Sequence, residues 1–173
     1  DAGITQQEQP NFETRQSDKE AGRSTYVEFR GSIAADPRSR NVGTAKVAEE
    51  LWRIIETEAP MLAKRAYDIY LRSCGIQRMG GELRKTMNRA LQHLIDNGRV
   101  VKEDELGEGG LMYTIVRPKG NLAVLVRSRG PRDLSEIPPS ELLAVARKLE
   151  SVSGFEKGSD EHLRAILEYF DLR

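Results

Sequence analysis

The chain has 173 residues, 38% hydrophobic and 31% charged, which suits one ordinary domain with an apolar core. Its 27 basic and 27 acidic side chains cancel, so it lacks the overall positive field that advertises nucleic-acid binding. The single cysteine excludes a disulfide framework or four-thiolate metal site within this chain, and no run approaches the roughly 18 apolar residues of a membrane span.

Residues 1–23 open on Asp1 without a Met, which reads as a processed protein or a piece cut from something larger. Gln, Glu, Asp, Ser and Thr dominate there with almost no aliphatic residue. Such a segment cannot offset its ordering entropy and is expected to be a polar flexible linker. Ser24 to Ile33 sets Tyr26, Glu28 and Arg30 against Val27, Phe29 and Gly31, a period of two that predicts a short edge strand ended by Asp36-Pro37.

From Thr44 the period turns helical. Val47, Leu51, Ile54 and Ile55 share a face, and Pro60 sets the limit. A second helix is expected from about Met61, with Ala63, Ala66, Tyr67, Tyr70 and Cys74 on one side and Gly75 as left-handed terminator. Cys74 therefore reads as a small core hydrophobe rather than a nucleophile, and a lone buried thiol fits a reducing, cytoplasmic compartment. A third helix, about Gly81 to Asn97, gathers Leu83, Met87, Ala90, Leu91, Leu94 and Ile95 on one face.

Arg99 to Glu105 and Leu111 to Arg117 read as two strands joined by the Gly107-Glu108-Gly109-Gly110 tip, with Leu122 to Val126 a candidate further strand. Pro139, placed where a first-turn proline loses no hydrogen bond, opens a helix carrying Leu142, Ala146 and Leu149. Ser159 or Asp160 caps a last helix, with Leu163, Ile166, Leu167 and Phe170 on one face. Three helices followed by a hairpin is the order of a winged helix-turn-helix, the Gly75 to Gly80 turn separating the second helix from the third. The expected fold is thus α+β and mainly helical. Residues 24–132 form the winged-helix domain with its N-terminal edge strand, and residues 133–173 a two-helix extension packed on it.

The charge is unevenly spread. Met61 to Gly98 holds seven cations against three carboxylates, and Leu111 to Arg132 five against none. On the third helix the apolar face leaves Lys85, Arg89 and Gln92 pointing the other way, flanked by Asn88 and His93, while Arg78 and Arg84 sit at the turn and the start. Arginine and lysine reach phosphates or guanine edges, and asparagine and glutamine pair with adenine, so the set has the chemistry of a recognition helix. The bland alternative is that any amphipathic helix needs a charged outer face.

Arg117, Lys119, Arg127, Arg129 and Arg132 form the densest basic cluster, read either as a phosphate-binding strip or as a solvated edge. Against nucleic acid stand Glu103, Asp104, Glu105 and Glu108, which crowd the hairpin where a wing would approach a phosphate backbone. Such a wing either points away from nucleic acid or belongs to a module that docks on protein.

Signatures of catalysis are missing. There is no phosphate loop ending in Lys-Ser or Lys-Thr, no His-Glu-x-x-His, no Cys-x-x-Cys and no Gly-x-Ser-x-Gly. Glu49-Glu50, Glu56-Glu58 and Asp160-Glu161 are expected at solvated helical positions or caps. No catalytic group, cofactor, metal, membrane or small-molecule substrate is expected of this segment.

The runs Glu58-Ala59-Pro60-Met61, Cys74-Gly75-Ile76-Gln77-Arg78-Met79-Gly80-Gly81, Glu136-Ile137-Pro138-Pro139-Ser140-Glu141 and Gly158-Ser159-Asp160-Glu161-His162 resemble a known family. It is the uncharacterised C-terminal, winged-helix-like domain of large bacterial superfamily-one helicase-like ATPases, and the likeness covers roughly Ala45 to Arg173. The resemblance implies a setting in DNA or RNA processing, with nucleic acid or the motor domain of the same parent chain as partner. It carries over no catalytic residue, and the parents' ATP-binding motifs do not occur in this chain.

Overall fold

The structure is a computed structural model and describes residues 23–172. The helical period beginning at Thr44 becomes α1 (Thr44–Glu58), which buries Val47, Ala48, Leu51, Ile54 and Ile55 along one side. Its last buried residue is Glu58, 0% exposed, so the solvated position expected for this carboxylate is corrected. The linker expected over residues 1–23 lies outside the described residues except for Arg23, whose Nη1 donates to the Tyr169 carbonyl at 2.7 Å.

The second helix starts later than its periodicity suggests. Met61 and Leu62 form a short strand, β1 (Met61–Leu62), and α2 covers Ala63–Ser73. The reason lies far along the chain. Strand β3 (Ile115–Pro118) pairs antiparallel with these two residues, Met61 opposite Val116 and Leu62 opposite Ile115. Gly75 then takes φ +73°, a conformation open to glycine, which lets the Ile76 amide return to the Leu71 carbonyl at 2.8 Å and ends α2. Helix α3 (Gly81–Asp96) follows with Met87, Ala90, Leu91 and Leu94 buried, as its pattern requires.

Strand β2 (Val100–Glu103) runs antiparallel to the other edge of β3, Val101 opposite Arg117, which gives the sheet order β1-β3-β2. Two strand expectations are corrected. Leu111–Tyr113 forms a 3-10 turn that buries Met112, so the second hairpin strand begins only at Ile115. Ser24 to Ile33 and Leu122 to Val126 enter no sheet, and a single parallel bridge pairs Ser24 with Arg127, the residue that follows the second stretch.

Helix α4 (Pro139–Ser153) has its proline in the first turn, and α5 (Asp160–Tyr169) is capped by Ser159, whose Oγ accepts from the His162 amide at 3.1 Å. The two close on a small core of Ile137, Val145, Tyr169 and Phe170, with Val126 packed against it. Leu163, expected on the apolar face of α5, is 52% exposed. His162 takes the inner place instead. Its Nδ1 accepts from the Gly158 amide at 3.2 Å, which leaves Nε2 to donate to the Ala146 carbonyl at 3.1 Å.

The larger core lies between α1, α2 and α3 and includes Leu51, Ile54, Tyr67, Tyr70 and Leu91. The architecture is α+β, five α-helices and one three-stranded antiparallel sheet among the described residues. No helix among them is long and apolar enough to cross a membrane.

Candidate nucleic-acid interface

Helix α3 separates its two faces cleanly. Arg84, Lys85, Arg89 and Gln92 are exposed, Asn88 and His93 half-buried at the flanks, and the opposite side is sealed in the core. Arg78 stands exposed on the turn before it, and neither Arg78 nor Arg84 has a partner among the described residues. The others make short-range contacts on their own helix. Lys85 Nζ donates to Glu82 at 2.8 Å and holds that carboxyl below its usual ionisation range; Arg89 reaches Thr86 Oγ1 at 3.4 Å. Gln92 Nε2 donates to Asp96 at 2.7 Å, and His93 lies 3.0 Å from Asn97. Contacts of this kind between exposed groups are worth little and exchange readily with water or a ligand.

Asn88 differs. Its Oδ1 accepts the hydroxyl of Tyr67, a fully buried residue of α2, at 3.0 Å. The helical spacing of α2 places Tyr67 in the core and gives no sign of this contact with a residue of α3. The available signal was general: a buried tyrosine hydroxyl needs a polar partner.

The basic strip does not form as expected. Arg127 and Arg132 are 3% and 1% exposed, which corrects their assignment as nucleic-acid contacts. Arg127 closes the end of α1, donating from Nη1 to the Glu58 carbonyl and from Nη2 to the Pro60 carbonyl, each at 2.7 Å. Both guanidiniums also donate to Glu141, itself 1% exposed. The Tyr26 ring lies under three cations, with Arg132, Arg127 and Arg65 at 4.4, 4.9 and 5.8 Å from its centroid. Its hydroxyl donates to Glu58, which also accepts from Arg65 Nε and the Phe29 amide. Buried charges persist only when paired, and here Arg65 is paired with Glu58 and both Arg127 and Arg132 with Glu141, although Arg127 Nε has no hydrogen-bond partner among the described residues. Arg129 stays half-buried with no guanidinium partner among the described residues, Lys119 is exposed, and Arg117 donates to Glu103 at 2.9 Å.

The acid of the hairpin is also largely spoken for. Glu103 is neutralised by Arg117, and Asp104 accepts from the Gly107 and Gly109 amides at 2.9 and 3.2 Å, shaping the tip. Glu105 accepts from both the amide and the hydroxyl of Ser140 at 2.9 Å, pinning the hairpin to the start of α4. Of the four, Glu108 alone has no partner among the described residues. The negative charge turned outward is therefore smaller than the sequence suggests.

Cys74 is half-buried against the main core, and burial pushes its thiol up, away from the nucleophilic thiolate. Among the described residues no group of three His, Cys, Asp or Glu side chains is placed to hold a metal ion. No family model, curated protein or solved structure matches the chain.

Proposed function

We propose that this domain is a winged helix that holds nucleic acid, DNA in the first instance, against the outer face of α3, as a non-catalytic accessory module of a helicase-like protein. The order α1, β1, α2, α3, β2, β3 with sheet order β1-β3-β2 supports the winged-helix part of the reading. The helicase-like setting rests on the motif resemblance alone.

One observation carries the binding surface. The cations of α3 face solvent with no buried carboxylate behind them, whereas Arg127 and Arg132 are consumed inside the fold. Arg84, Lys85 and Arg89, with Arg78 on the preceding turn, remain free to replace the counterions of a phosphate backbone. Fluorescence anisotropy with labelled duplex DNA, duplex RNA and a forked substrate tests this. Binding should weaken steeply between about 50 and about 200 mM salt, and no binding to any of the three at low salt removes the reading.

A second reading, docking on protein, is favoured by a cleft of about 630 Å³ between α2, the hairpin tip and residues 133–136. Leu71, Ile76, Met79 and the 41%-exposed Leu106 give it apolar walls, with Glu108 and Asp133 also lining it. Glu103 and Glu105, expected as the docking charges, serve the fold instead. A nuclease-resistant pull-down lost on Leu106→Asp would favour this second reading.

A further inference from the structure

We infer that the cleft between α2 and the hairpin tip takes an apolar side chain of a partner protein, offered on a segment that carries Lys or Arg beside it. The inference rests on the protein-docking reading and adds the chemistry of the partner.

An exposed leucine by itself needs no explanation. Leu106 differs in what lies beneath it and in how it is held. Leu71 and Ile76 form a buried floor and half-buried Met79 a wall, while Leu106 stands at the rim. The methionine side chain adapts to what it meets. The chain on either side of Leu106 is fixed before any partner arrives: Glu105 is bound to Ser140 at the start of α4, and Asp104 holds the Gly107 and Gly109 amides. Ordering the rim therefore costs a partner little. At about 630 Å³ the cleft lies within the roughly 300–1,000 Å³ of clefts that enclose a ligand, which leaves room for a large side chain.

Charge selects the partner. Asp68, Glu108, Asp133 and Glu136 line the cleft together with Lys64, Arg65 and Arg72. A neighbouring pocket of about 300 Å³ shares Arg65, Arg72, Asp133 and Glu136 with it and adds the carboxylates Glu28 and Glu58. Six carboxylates thus face three cations in a chain whose net charge is zero. Pairing does not remove the excess. Lys64 is spent on Asp68, and Arg65 lies between Glu58 and Glu136. Arg72, its Nε donating to the Asp68 carbonyl at 3.2 Å, remains to offset Glu28, Asp133 and Glu108. Glu28 has only the exposed Arg30 at 3.5 Å, a surface contact worth little. Asp133 accepts a backbone amide in its capping box and meets no cation, and Glu108 has no partner, among the described residues. Such an excess attracts a basic segment and repels an acidic one or a phosphate backbone. The apolar lining gains nothing from a bare cation, so the fitting partner carries both.

The test titrates the full chain at low salt with three synthetic peptides of equal length and follows the backbone amide resonances. One peptide carries leucine flanked by lysines, one leucine flanked by glutamates, and one serine flanked by lysines. The lysine-flanked leucine is expected to shift Ile76, Met79 and Leu106 and to bind about tenfold more tightly than either of the others. Glu108→Lys, at an exposed and unpaired position, is expected to narrow the gap between lysine and glutamate flanks. Leu106→Ser is expected to weaken the lysine-flanked leucine by about three- to tenfold. Glutamate flanks that bind at the same residues as tightly as lysine flanks overturn the inference and leave the docking reading standing. Serine binding as well as leucine overturns it too, because the attraction is then to charge alone. So do shifts confined to residues outside the cleft, an unchanged gap in Glu108→Lys, or an unchanged affinity in Leu106→Ser. If no peptide binds the chain at all, the docking reading fails and the inference goes with it.

Discussion

Arg132 and Glu141 lie side by side in two hydrogen bonds, Nη1 to Oε2 at 2.8 Å and Nη2 to Oε1 at 3.0 Å, with each side chain 1% exposed. The fork matches the carboxylate and needs no water to complete it. The same carboxylate accepts from the Arg127 amide at 2.9 Å and from Arg127 Nη2 at 3.2 Å. Glu141 thus joins α4 to the loop that closes α1.

Removing Glu141 leaves two buried guanidiniums without their shared counter-charge. Glu141→Ala is expected to lower unfolding stability by about 3–5 kcal/mol, the usual consequence of breaking a buried pair from one side. Urea unfolding measures it, and a loss below about 1 kcal/mol would mean that water reaches the pair and screens it.

Alkaline pH offers an independent view of the core. Tyr26, Tyr67 and Tyr70 are buried, and burial is the leading cause that pushes each phenol far above the ordinary value of 10.0. Unfolded phenols lose their protons near pH 10 while the folded ones keep theirs. Stability is therefore full below about pH 10 and falls above it, by up to about 1.4 kcal/mol per pH unit for each phenol. Tyr70→Phe should remove one phenol's share of that slope. A profile that stays flat to about pH 11 would contradict the burial of these hydroxyls.

Glu105 is expected to hold the hairpin rather than to recognise a partner. Its carboxylate takes the Ser140 amide and hydroxyl at a helix start, where free N–H groups favour an anion. Glu105→Ala should cost about 1 kcal/mol and speed amide exchange in the tip and the first turn of α4 while sparing α1 and α3. Unchanged exchange in the tip would show that the contact does not anchor it.

Local pattern made most helices legible. Four rows of apolar residues at helical spacing give α1, α3, α4 and α5 nearly to their ends, and Gly75 and Ser159 mark a stop and a start by their own chemistry. What escaped depends on distant partners. Met61–Leu62 is too short for any period and becomes a strand only because Ile115 and Val116 lie beside it. Arg127 looks like a surface cation until Glu58, 69 residues away, supplies its carbonyl. The period of two around Tyr26 predicts an edge strand and the helical spacing puts Glu58 on a solvated face, because neither residue's neighbours in sequence reveal the three arginines that gather round the Tyr26 ring. The outer face of α3 was readable for the opposite reason: its groups answer to their own helix, apart from Asn88.

The salt dependence of nucleic-acid affinity, compared between the wild-type chain and an Arg84→Ala, Lys85→Ala, Arg89→Ala variant, probes the α3 surface most directly. The expected result is salt-sensitive binding by the wild type, with the slope of log Kd against log salt reduced by about one for each cation removed. An unchanged slope in a variant that still folds, or a wild type that binds nothing at low salt, would contradict the assignment of α3 as the docking face.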